Sequence, residues 1–424
     1  MCSEPQHSSN FPFPFDWEEP LFKGGRRIVE ILRSNDHHAV FAGGCVRDMV
    51  MGIHPQDVDV ATDAAPDRVQ RIFYNTIPVG ESFGVVIVRM AGMGYEVATF
   101  RKEGPYEDGR RPKCVSFVTQ QEDVKRRDFT CNGLLYDPLT ETLLDFVQGR
   151  GDIEKRRLRA IGDPVERFEE DHLRLLRAIR FSIQLDFWIE TSTWEAILKQ
   201  RKGIRGVSRE RIKEELFKLL SLSGRGKGLR LLLESNLANQ VLPDLFQGYD
   251  PLPGLRETCD ILNLLRDFHP ETSLAAILRL RPFPLRERRD HLMRMRLSAK
   301  EAGQVMETLE ILDVLPGILD QPLCRRKRLY RKACFTRAMD LFRAVCETTG
   351  EGQATWLRIH EEARGMGPEE LFPRRWFTGD DLLAMGFEEG KGIGILLEGL
   401  EDEQLEGRAR SPEEALRWLR RRHV

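Results

Sequence analysis

Two carboxylates one residue apart, Asp57 and Asp59, give the first sign of chemistry in this chain. In a strand alternate side chains share a face, so both carboxylates would project together, about 7 Å apart, while Val58 and Val60 enter the core. Neighbouring acids repel each other unless a cation lies between them, and one or two divalent metal ions are the usual solution. A lone Asp-x-Asp pair could equally be a solvated strand edge, so the surrounding residues must decide.

A glycine pair precedes these acids. The apolar run Ala39–Ala42 predicts a buried strand, and Gly43 and Gly44 break it where the backbone must turn tightly or approach a ligand closely. A phosphate fits such a gap. Glycines and acids together therefore indicate metal-assisted phosphoryl or nucleotidyl transfer.

A basic run further on is suited to a nucleotide. Lys125-Arg126-Arg127-Asp128-Phe129-Thr130-Cys131-Asn132 places two guanidinium groups, an acid and an amide within eight residues. Guanidinium groups bind phosphate through paired N–H donors, so this run could grip a triphosphate and hydrogen-bond a ribose. Alone, it could also be one turn of a surface helix.

The run from 167 to 181 predicts a helix that can read a base. On one helix Asp171 and Arg174 share a face, with Arg177 one turn further on. The carboxylate would accept from an exocyclic amine, and the guanidinium would donate to the adjacent ring nitrogen. Cytosine and adenine present that pattern, whereas guanine and uracil reverse it. The alternative is an ion pair within the helix.

Composition is that of an ordinary ordered protein. The chain has 424 residues, 41% of them hydrophobic and 31% charged, which is enough for several domains. No apolar run approaches the ~18 residues that span a bilayer, so we expect a cytoplasmic protein with no membrane partner. Eight cysteines without a C-x-x-C pair argue against a zinc site and a disulfide framework. The net charge of −2 can still hide a basic face.

Periodicity separates an α/β part from a helical part. Residues 21–34 predict an amphipathic helix, and the β-branched runs 83–90 and 95–101 predict a hairpin. Glu96 would add a third carboxylate to this sheet. The α/β part ends near Gly151, because apolar residues then recur every three or four positions.

These motifs together resemble those of the class II tRNA nucleotidyltransferases and bacterial poly(A) polymerases, a branch of the polymerase-β-like nucleotidyltransferases. The resemblance spans most of the chain. It rests on Gly43-Gly44-x-x-Arg47-Asp48 with Asp57-x-Asp59, on Arg126-Arg127-Asp128-x-x-x-Asn132, on Glu170-Asp171-x-x-Arg174, and on the run from Val207 to Leu216.

The resemblance implies a role for each of these positions. Asp57 and Asp59 would hold two Mg²⁺ ions, with Glu96 as the candidate third catalytic acid. The RNA 3′-hydroxyl would attack the α-phosphate of CTP or ATP and release pyrophosphate. The residues expected to bind the nucleotide are Gly43, Gly44, Arg47, Asp48, Arg126, Arg127, Asp128, Asn132, Asp171, Arg174, Arg177 and Arg180.

The fold that the resemblance implies is α+β, with a small mixed-sheet nucleotidyltransferase head followed by an all-helical neck, body and tail in a seahorse shape. We expect an N-terminal segment at 1–25, a catalytic head at 26–151 and a nucleotide-selecting neck at 152–220. An RNA-binding body at 221–340 and a tRNA-binding tail at 341–424 would follow.

The polar stretch 102–114 resembles the family's flexible loop, which is present in enzymes that add the terminal A. Arg111 falls where the family often has an Arg before His-Pro, although here Pro112 follows it directly. We expect this stretch to be mobile and Arg111 to contact the nucleotide.

Basic residues in the second half are expected to contact tRNA, the partner that the resemblance implies. Charge runs on helices are usually just solvated, but a tRNA-binding enzyme of net charge −2 needs a positive groove. The candidates are Arg279, Arg281, Arg325, Arg326, Lys327 and Arg328. His269 has no adjoining Asp, so no second metal-dependent phosphohydrolase site is expected, and no obligate protein partner is evident.

Three activities stay open within the family: CCA addition, A addition after a separate CC-adding enzyme, and poly(A) synthesis. A poly(A) polymerase would be expected to carry a long basic extension, and here only Arg420-Arg421-Arg422 stands near the end, so we expect CCA addition. A catalytically silent RNA-binding protein of the same fold is the remaining alternative. The intact Asp57 and Asp59 argue against it.

Overall fold

A computed structural model describes residues 8–78, 84–103, 115–246, 254–280 and 284–422. The chain forms two compact units, Met1–Gln247 and Gly248–Val424. Most of the predicted loop (104–114), including Arg111, lies outside the described residues, and so does Arg281. Within the described ranges, no helix is both long and apolar enough to cross a membrane.

The first unit is built on a mixed sheet of eight strands. The strands of this unit are β1 (Ser8–Asn10), β2 (Ala39–Ala42), β3 (Val60–Thr62), β4 (Thr76–Pro78), β5 (Val85–Met90), β6 (Met93–Thr99), β7 (Arg101–Glu103), β8 (Val115–Phe117), β9 (Leu134–Asp137), β10 (Thr142–Asp145), β11 (Arg157–Leu158) and β12 (Trp188–Ile189). The order in the sheet is β1-β10-β9-β2-β3-β6-β5-β4. Within this eight-stranded sheet β3 and β6 run parallel, and the other neighbouring strands run antiparallel.

Helices cover this sheet and continue beyond it. They are α1 (Pro20–Ser34), α2 (Gly44–Val50), α3 (Pro66–Ile72), α4 (Gln120–Lys125), α5 (Gly149–Glu154), α6 (Pro164–Glu170), α7 (Arg174–Leu185), α8 (Thr191–Gln200), α9 (Arg209–Leu220), α10 (Arg225–Glu234), α11 (Ala238–Val241) and α12 (Pro243–Phe246). The predicted helix at 21–34 is α1, which buries Phe22, Ile28 and Leu32. The predicted hairpin is β5 and β6, and the mixed-sheet α+β fold is confirmed.

The strand that follows the two acids is shorter than the sequence predicts. β3 begins at Val60, so Asp57 and Asp59 lie in the segment just before it. Val58 and Val60 are both buried, as the alternation of faces requires. The N–H of Ala42 donates to the carbonyl of Asp59 at 3.0 Å. This bond fixes the segment that carries the acids to β2, although the segment precedes the paired residues of β3.

The second unit is helical in all of its described regular elements, as predicted. Its helices are α13 (Leu255–Leu264), α14 (Pro270–Leu278), α15 (Leu285–Arg294), α16 (Ala299–Val314), α17 (Leu323–Tyr330), α18 (Phe335–Thr349), α19 (Gln353–Gly365), α20 (Pro368–Leu371), α21 (Gly379–Ala384), α22 (Lys391–Leu405) and α23 (Pro412–Arg420), with a 3₁₀ turn at Leu315–Asp320. α16 packs between α14 and α18, while the last three helices share a small core of Leu382, Leu400, Ala415 and Leu419.

His269 has an acidic partner, although not an adjoining one. Its Nδ1 is hydrogen-bonded to the carboxylate of Asp267, which also accepts from the hydroxyl of Thr272. These bonds close the turn that starts α14, since His269 is the residue before its first turn. The pair therefore has a local structural role.

Candidate active site

Gly43 turns the chain between β2 and α2 in a conformation that other residues avoid. Its φ is +76°, in the left-handed region that glycine enters without strain. A Cβ at this position would lie 3.0 Å from Nη1 of Arg127, whereas a Cβ at Gly44 would come only within 3.8 Å of Arg47. Gly43 is thus required by its own backbone and by the closeness of Arg127.

The register of the sheet brings Glu96 beside Asp59. β3 and β6 run parallel and pair Val60 with Val97. The residues just before them, Asp59 and Glu96, therefore lie level on neighbouring strands. Asp59 is half-buried, and Glu96 is exposed.

The negative charges of Asp57 and Glu96 act on the carboxylate of Asp59 at this point. The pKa of Asp59 is raised to about 7, first by burial and then by the negative charges of Asp57 and Glu96. The guanidinium of Arg127 opposes this rise without cancelling it. The carboxylate of Asp59 is therefore under-compensated by the protein's own cations.

This arrangement fits Mg²⁺. No group of three or more His, Cys, Asp or Glu side chains in the described residues is placed to hold a metal ion by itself. Mg²⁺ keeps several waters and is commonly bound by one or two carboxylates together with substrate phosphates, so a pair such as Asp57 and Asp59 suffices. A divalent cation held by Asp57 and Asp59 would oppose the rise in the pKa of Asp59 that burial and the neighbouring acids cause.

A buried network joins the motif after Gly44 to the motif around Asp128. Nη2 of Arg47 pairs with Asp48 at 2.7 Å, and Nη1 donates to Oδ1 of Asn132 at 2.8 Å. Nδ2 of Asn132 donates to Oδ1 of Asp128 at 3.1 Å. Nη2 of Arg177 donates to the other oxygen of that carboxylate at 2.6 Å.

Asp128 is ionised in spite of its burial. Burial raises its pKa, but the charge of Arg177 and the hydrogen bonds from Asn132 and Arg177 outweigh this effect and hold the pKa at about 2. Five predicted site residues are thus brought together and fixed in one geometry.

Glu215 extends this network and was missed by sequence reasoning. It is buried, its Oε2 accepts from Nε of Arg180 at 2.7 Å, and its Oε1 lies 3.6 Å from Nη1 of Arg177. The guanidinium of Arg180 lies over the ring of Phe181, 3.9 Å from its centroid. The run from Val207 to Leu216 contains Glu215. A local motif of this kind does not reveal the partners of Glu215 on α7, because they lie in a different part of the sequence.

Asp123 is a second residue that sequence reasoning missed. It is buried, and it pairs with Arg126 at 2.7 Å and with Arg127 at 3.1 Å. Its acidic neighbour Glu122 instead caps the start of α4. The spacings of three and four residues are the sequence signal for these pairs, although α4 ends at Lys125 and both arginines follow it.

The prediction that Asp171 and Arg174 share one face of a continuous helix is wrong. α6 ends at Glu170, Asp171 has an extended φ of −149°, and α7 starts at Arg174. Nη1 of Arg174 donates to Oε2 of Glu170 at 2.6 Å, and Nη2 donates to the carbonyl of Arg126 at 2.9 Å. Oδ2 of Asp171 accepts from Nη2 of Arg211 at 2.7 Å. Each residue of the pair is therefore held by a different element.

The residues predicted to contact RNA lie in the second unit, and most have partners there. Lys327 is buried and donates to the last carbonyl of α22 at 2.9 Å. Arg326 pairs with an acid of α19, and Arg328 pairs with three acids of α22. Arg325 is exposed, and burial lowers the pKa of Arg279. Contact between these residues and RNA stays a prediction.

Two family profiles match the chain. The Poly A polymerase head domain matches residues 39–159, and the profile described as "Probable RNA and SrmB- binding site of polymerase A" matches residues 186–248. The first match contains the glycine turn, the acids and the motif around Asp128.

Curated relatives are named CCA-adding enzymes. The one from Lacticaseibacillus paracasei is 33% identical over 403 residues, which is 92% of this chain and 94% of the relative. The one from Bacillus pumilus is 42% identical over 231 residues, or 54% of this chain, and the chain spans only about half, 55%, of that relative's length.

Solved structures also resemble this chain. The CCA-adding enzyme of Bacillus stearothermophilus, solved in complex with CTP, has a TM-score of 0.75 at 27% identity and covers 96% of this chain and 99% of its own. The Thermotoga maritima CCA-adding enzyme, solved with tRNA, has a TM-score of 0.68 at 19% identity, which supports the fold alone. It covers 98% of this chain and 100% of its own.

Proposed function

This chain belongs to the family of CCA-adding enzymes, and on that premise we propose that it adds C, C and A to the 3′ ends of tRNA. The substrates are CTP and ATP, and no nucleic-acid template is used. The family predicted from the four sequence motifs is thereby confirmed. The activity itself is our proposal.

The observation that carries this proposal is the arrangement of charge beside Gly43. The carboxylate of Asp59, with Asp57 and Glu96 nearby, lacks sufficient positive charge, while the guanidinium of Arg127 lies close to the glycine turn and within electrostatic reach of Asp59. A nucleoside triphosphate with Mg²⁺ would supply the cation that the acids require, and its phosphate oxygens could accept from N–H donors of Arg127 that the bonds to Asp123 and Asn132 do not use. A silent RNA-binding protein would have no use for such a pairing.

We assign the reacting groups as follows. Asp57 and Asp59 would hold Mg²⁺, with Glu96 as the candidate third acid. Bound Mg²⁺ supplies charge neutralisation and lowers the pKa of the attacking hydroxyl. The RNA 3′-hydroxyl then attacks the α-phosphate, and the bond to the departing pyrophosphate breaks as the new P–O bond forms. Gly43 and Arg127 would hold the triphosphate.

The ribose and the base would be held by the network on the other side of this site. Asn132 and Asp128 are proposed to contact the ribose, because Arg47 and Arg177 already fix their orientation. A carboxylate has about four lone-pair positions, so an acid that already binds an arginine can still accept from a base amine. Selection of the base is therefore assigned to Asp171, together with Arg174.

Several finer assignments accompany this proposal. Head, neck, body and tail are proposed at 26–151, 152–220, 221–340 and 341–424, and Arg111 remains a proposed nucleotide contact. A cytoplasmic location is proposed because tRNA maturation would supply the substrate there. In the second unit, Arg325 is the proposed RNA contact best supported by its exposure.

The decisive experiment supplies purified protein with a tRNA that lacks CCA, Mg²⁺, and each labelled nucleotide in turn. CTP alone should give two added C residues and a stop, and CTP with ATP should give CCA. Chelation of Mg²⁺ should abolish both products.

The same assay identifies the other activities. Addition of A to a tRNA ending in CC, without any addition of C, would make the protein an A-adding enzyme. Long A tracts on RNAs that lack tRNA shape would make it a poly(A) polymerase. No incorporation on any substrate would leave the silent RNA-binding protein.

A further inference from the structure

Asp123 lies outside every motif that the sequence singled out, yet it is among the most buried acids of the first unit. Only 2% of it is exposed. It stands near the end of α4, a six-residue helix that starts with a capping box between Thr119 and Glu122. Its carboxylate is therefore anchored on a well-defined turn and faces the protein interior.

Three groups converge on this carboxylate. Oδ1 accepts from Nε of Arg126 at 2.9 Å and from the backbone N–H of Arg101 at 3.2 Å. Oδ2 accepts from Nη2 and Nε of Arg127 at 3.1 Å and 3.3 Å. Burial raises the pKa of Asp123, but the charges of Arg127 and Arg126 outweigh it, so the pKa is lowered and the group is ionised.

The opposite end of Arg127 points toward the proposed triphosphate site. Its Nη1 donates to the carbonyl of Asn132 at 3.2 Å and lies 3.0 Å from the position that a Cβ on Gly43 would occupy. Its charge also reaches Asp59. A guanidinium has five N–H donors, so the bonds to Asp123 and Asn132 leave others for a ligand.

We infer that Asp123 is a positioning residue for the nucleotide's triphosphate, which acts by fixing the edge of Arg127 that faces Gly43. This inference rests on the proposed function and extends it to a residue that touches neither nucleotide nor metal. An arginine held in place beforehand loses less side-chain entropy when it binds phosphate. Removing the bond that holds it should therefore weaken binding of every nucleoside triphosphate, whatever its base.

The test compares Asp123→Asn with Asp137→Asn as a matched control. Asp137 is also buried and also pairs with an arginine, Arg33 at 2.7 Å, but it lies at the far end of β9. The measurements are KM and kcat for CTP and for ATP with saturating tRNA, together with the melting temperature. Loss of a hydrogen bond to a charged group should raise KM about tenfold.

The inference requires that KM rise by the same factor for CTP and ATP in Asp123→Asn, with little change in kcat and none in the preference for CTP over UTP. Asp137→Asn should lower the melting temperature comparably and leave KM unchanged. A KM that does not rise in Asp123→Asn, or that rises for only one base, overturns the inference. An equal rise in the control also overturns it, because the effect would then be general loosening.

Two further variants keep the test decisive if Asp123→Asn does not fold. Asp123→Glu keeps the charge and displaces it by one methylene group, and a smaller rise in KM is expected. In the background of Arg127→Gln, changing Asp123 should produce no additional rise in KM, since the group on which it acts is absent. A full additional rise would show that Asp123 acts by another route.

Failure of the proposed function would look different. If the wild-type protein adds only A or makes poly(A), the same comparison is made with ATP alone, and the expected rise in KM is unchanged. If the wild-type protein incorporates no nucleotide, binding of ATP with Mg²⁺ is measured by calorimetry instead, and equal affinity in wild type and Asp123→Asn overturns the inference.

Discussion

The surroundings shift the pKa of Asp59, which lies just before β3, and the pKa of Asp128, at the centre of the buried network, in opposite directions. Asp59 has its pKa raised to about 7, first by burial and then by two neighbouring acids, against which only one arginine acts. Asp128 has its pKa lowered to about 2, since Arg177 and Asn132 hold the ionised form. One site is left short of positive charge, and the other is complete.

This difference separates two ways of binding a ligand. One site binds through a deficit of positive charge, and the other binds through a rigid arrangement of hydrogen-bonding groups. A cluster of under-compensated acids attracts a cation and holds it through charge. A complete network instead holds its members rigidly and presents their remaining donors and acceptors in one orientation, which suits recognition of a ribose or a base. Substitutions at the two places should therefore fail in different ways.

The largest effect is expected from Asp59→Asn. Removing this carboxylate should reduce nucleotide addition on the order of 1000-fold, because several kcal/mol of metal-dependent stabilisation would be lost. The fold and tRNA affinity should stay near normal. Single-turnover incorporation of labelled CTP measures the loss, with Asp63→Asn, an exposed acid beyond β3, as the control. Near-normal turnover in Mg²⁺ would remove Asp59 from the metal site.

Glu215→Gln should act on stability instead. Arg180 would lose the buried carboxylate that neutralises it, while Arg177 would keep Asp128, and breaking a buried pair typically costs about 3 kcal/mol or more. Urea unfolding measures the change, with the exposed neighbour Glu214→Gln as the control. If Glu215→Gln unfolds like the control, the Glu215 carboxylate does not stabilise the buried network.

Arg211→Gln should affect selection more than rate. Arg211 holds Oδ2 of Asp171, so its loss would leave the carboxylate that is proposed to read the base amine held only through Oδ1, which accepts from the N–H of Leu173. We expect the ratio of kcat/KM for CTP to that for UTP to fall about tenfold. Arg209→Gln, an exposed neighbour on α9, serves as the control. An unchanged ratio would mean that Asp171 needs no support from α9.

The smallest effect is expected from Asp59→Asn in the metal-free protein, where this substitution should raise the free energy of unfolding. Folded Asp59 keeps its proton until pH about 7, whereas an unfolded Asp releases it near pH 4. Between these values ionisation costs the folded state free energy, so the wild type loses stability relative to Asp59→Asn as the pH rises. With EDTA present the difference should reach about 1–2 kcal/mol above pH 7, after allowance for partial exposure.

That pH series has its own checks. Below pH 4 the two proteins should unfold alike, and Asp57→Asn should stabilise less, since it relieves repulsion without removing the buried charge. A wild type that is as stable as Asp59→Asn at pH 8 in EDTA would show that the acids are already compensated.

The sequence indicates the proposed reacting groups better than it indicates the residues that hold them in place. Asp57, Asp59, Gly43 and the motif around Asp128 are recognisable because their spacing is local. The hairpin and α1 follow from periodicity for the same reason. The partners of these groups come from elsewhere in the chain: Arg177 meets Asp128 across 49 residues, and Arg211 meets Asp171 across 40.

Local patterns also mislead where the chain turns. A helical reading of 167–181 cannot reveal that Asp171 is extended, since the residues on both sides are good helix formers. The basic run 325–328 suggests an open positive surface, because its acidic partners on α22 lie about 70 residues further on. Such neutralisation depends on tertiary structure alone.

The pairing of α17 with α22 sets a rule for building chimeras between this protein and its relatives. Arg328 contacts Glu398, Glu401 and Asp402, and Arg331 shares Glu401. A junction between 340 and 341, where the tail is expected to start, would transplant the acids and leave their arginines behind. Moving the junction to a point before α17 keeps both helices from one parent, so the graft carries its own complementary charges.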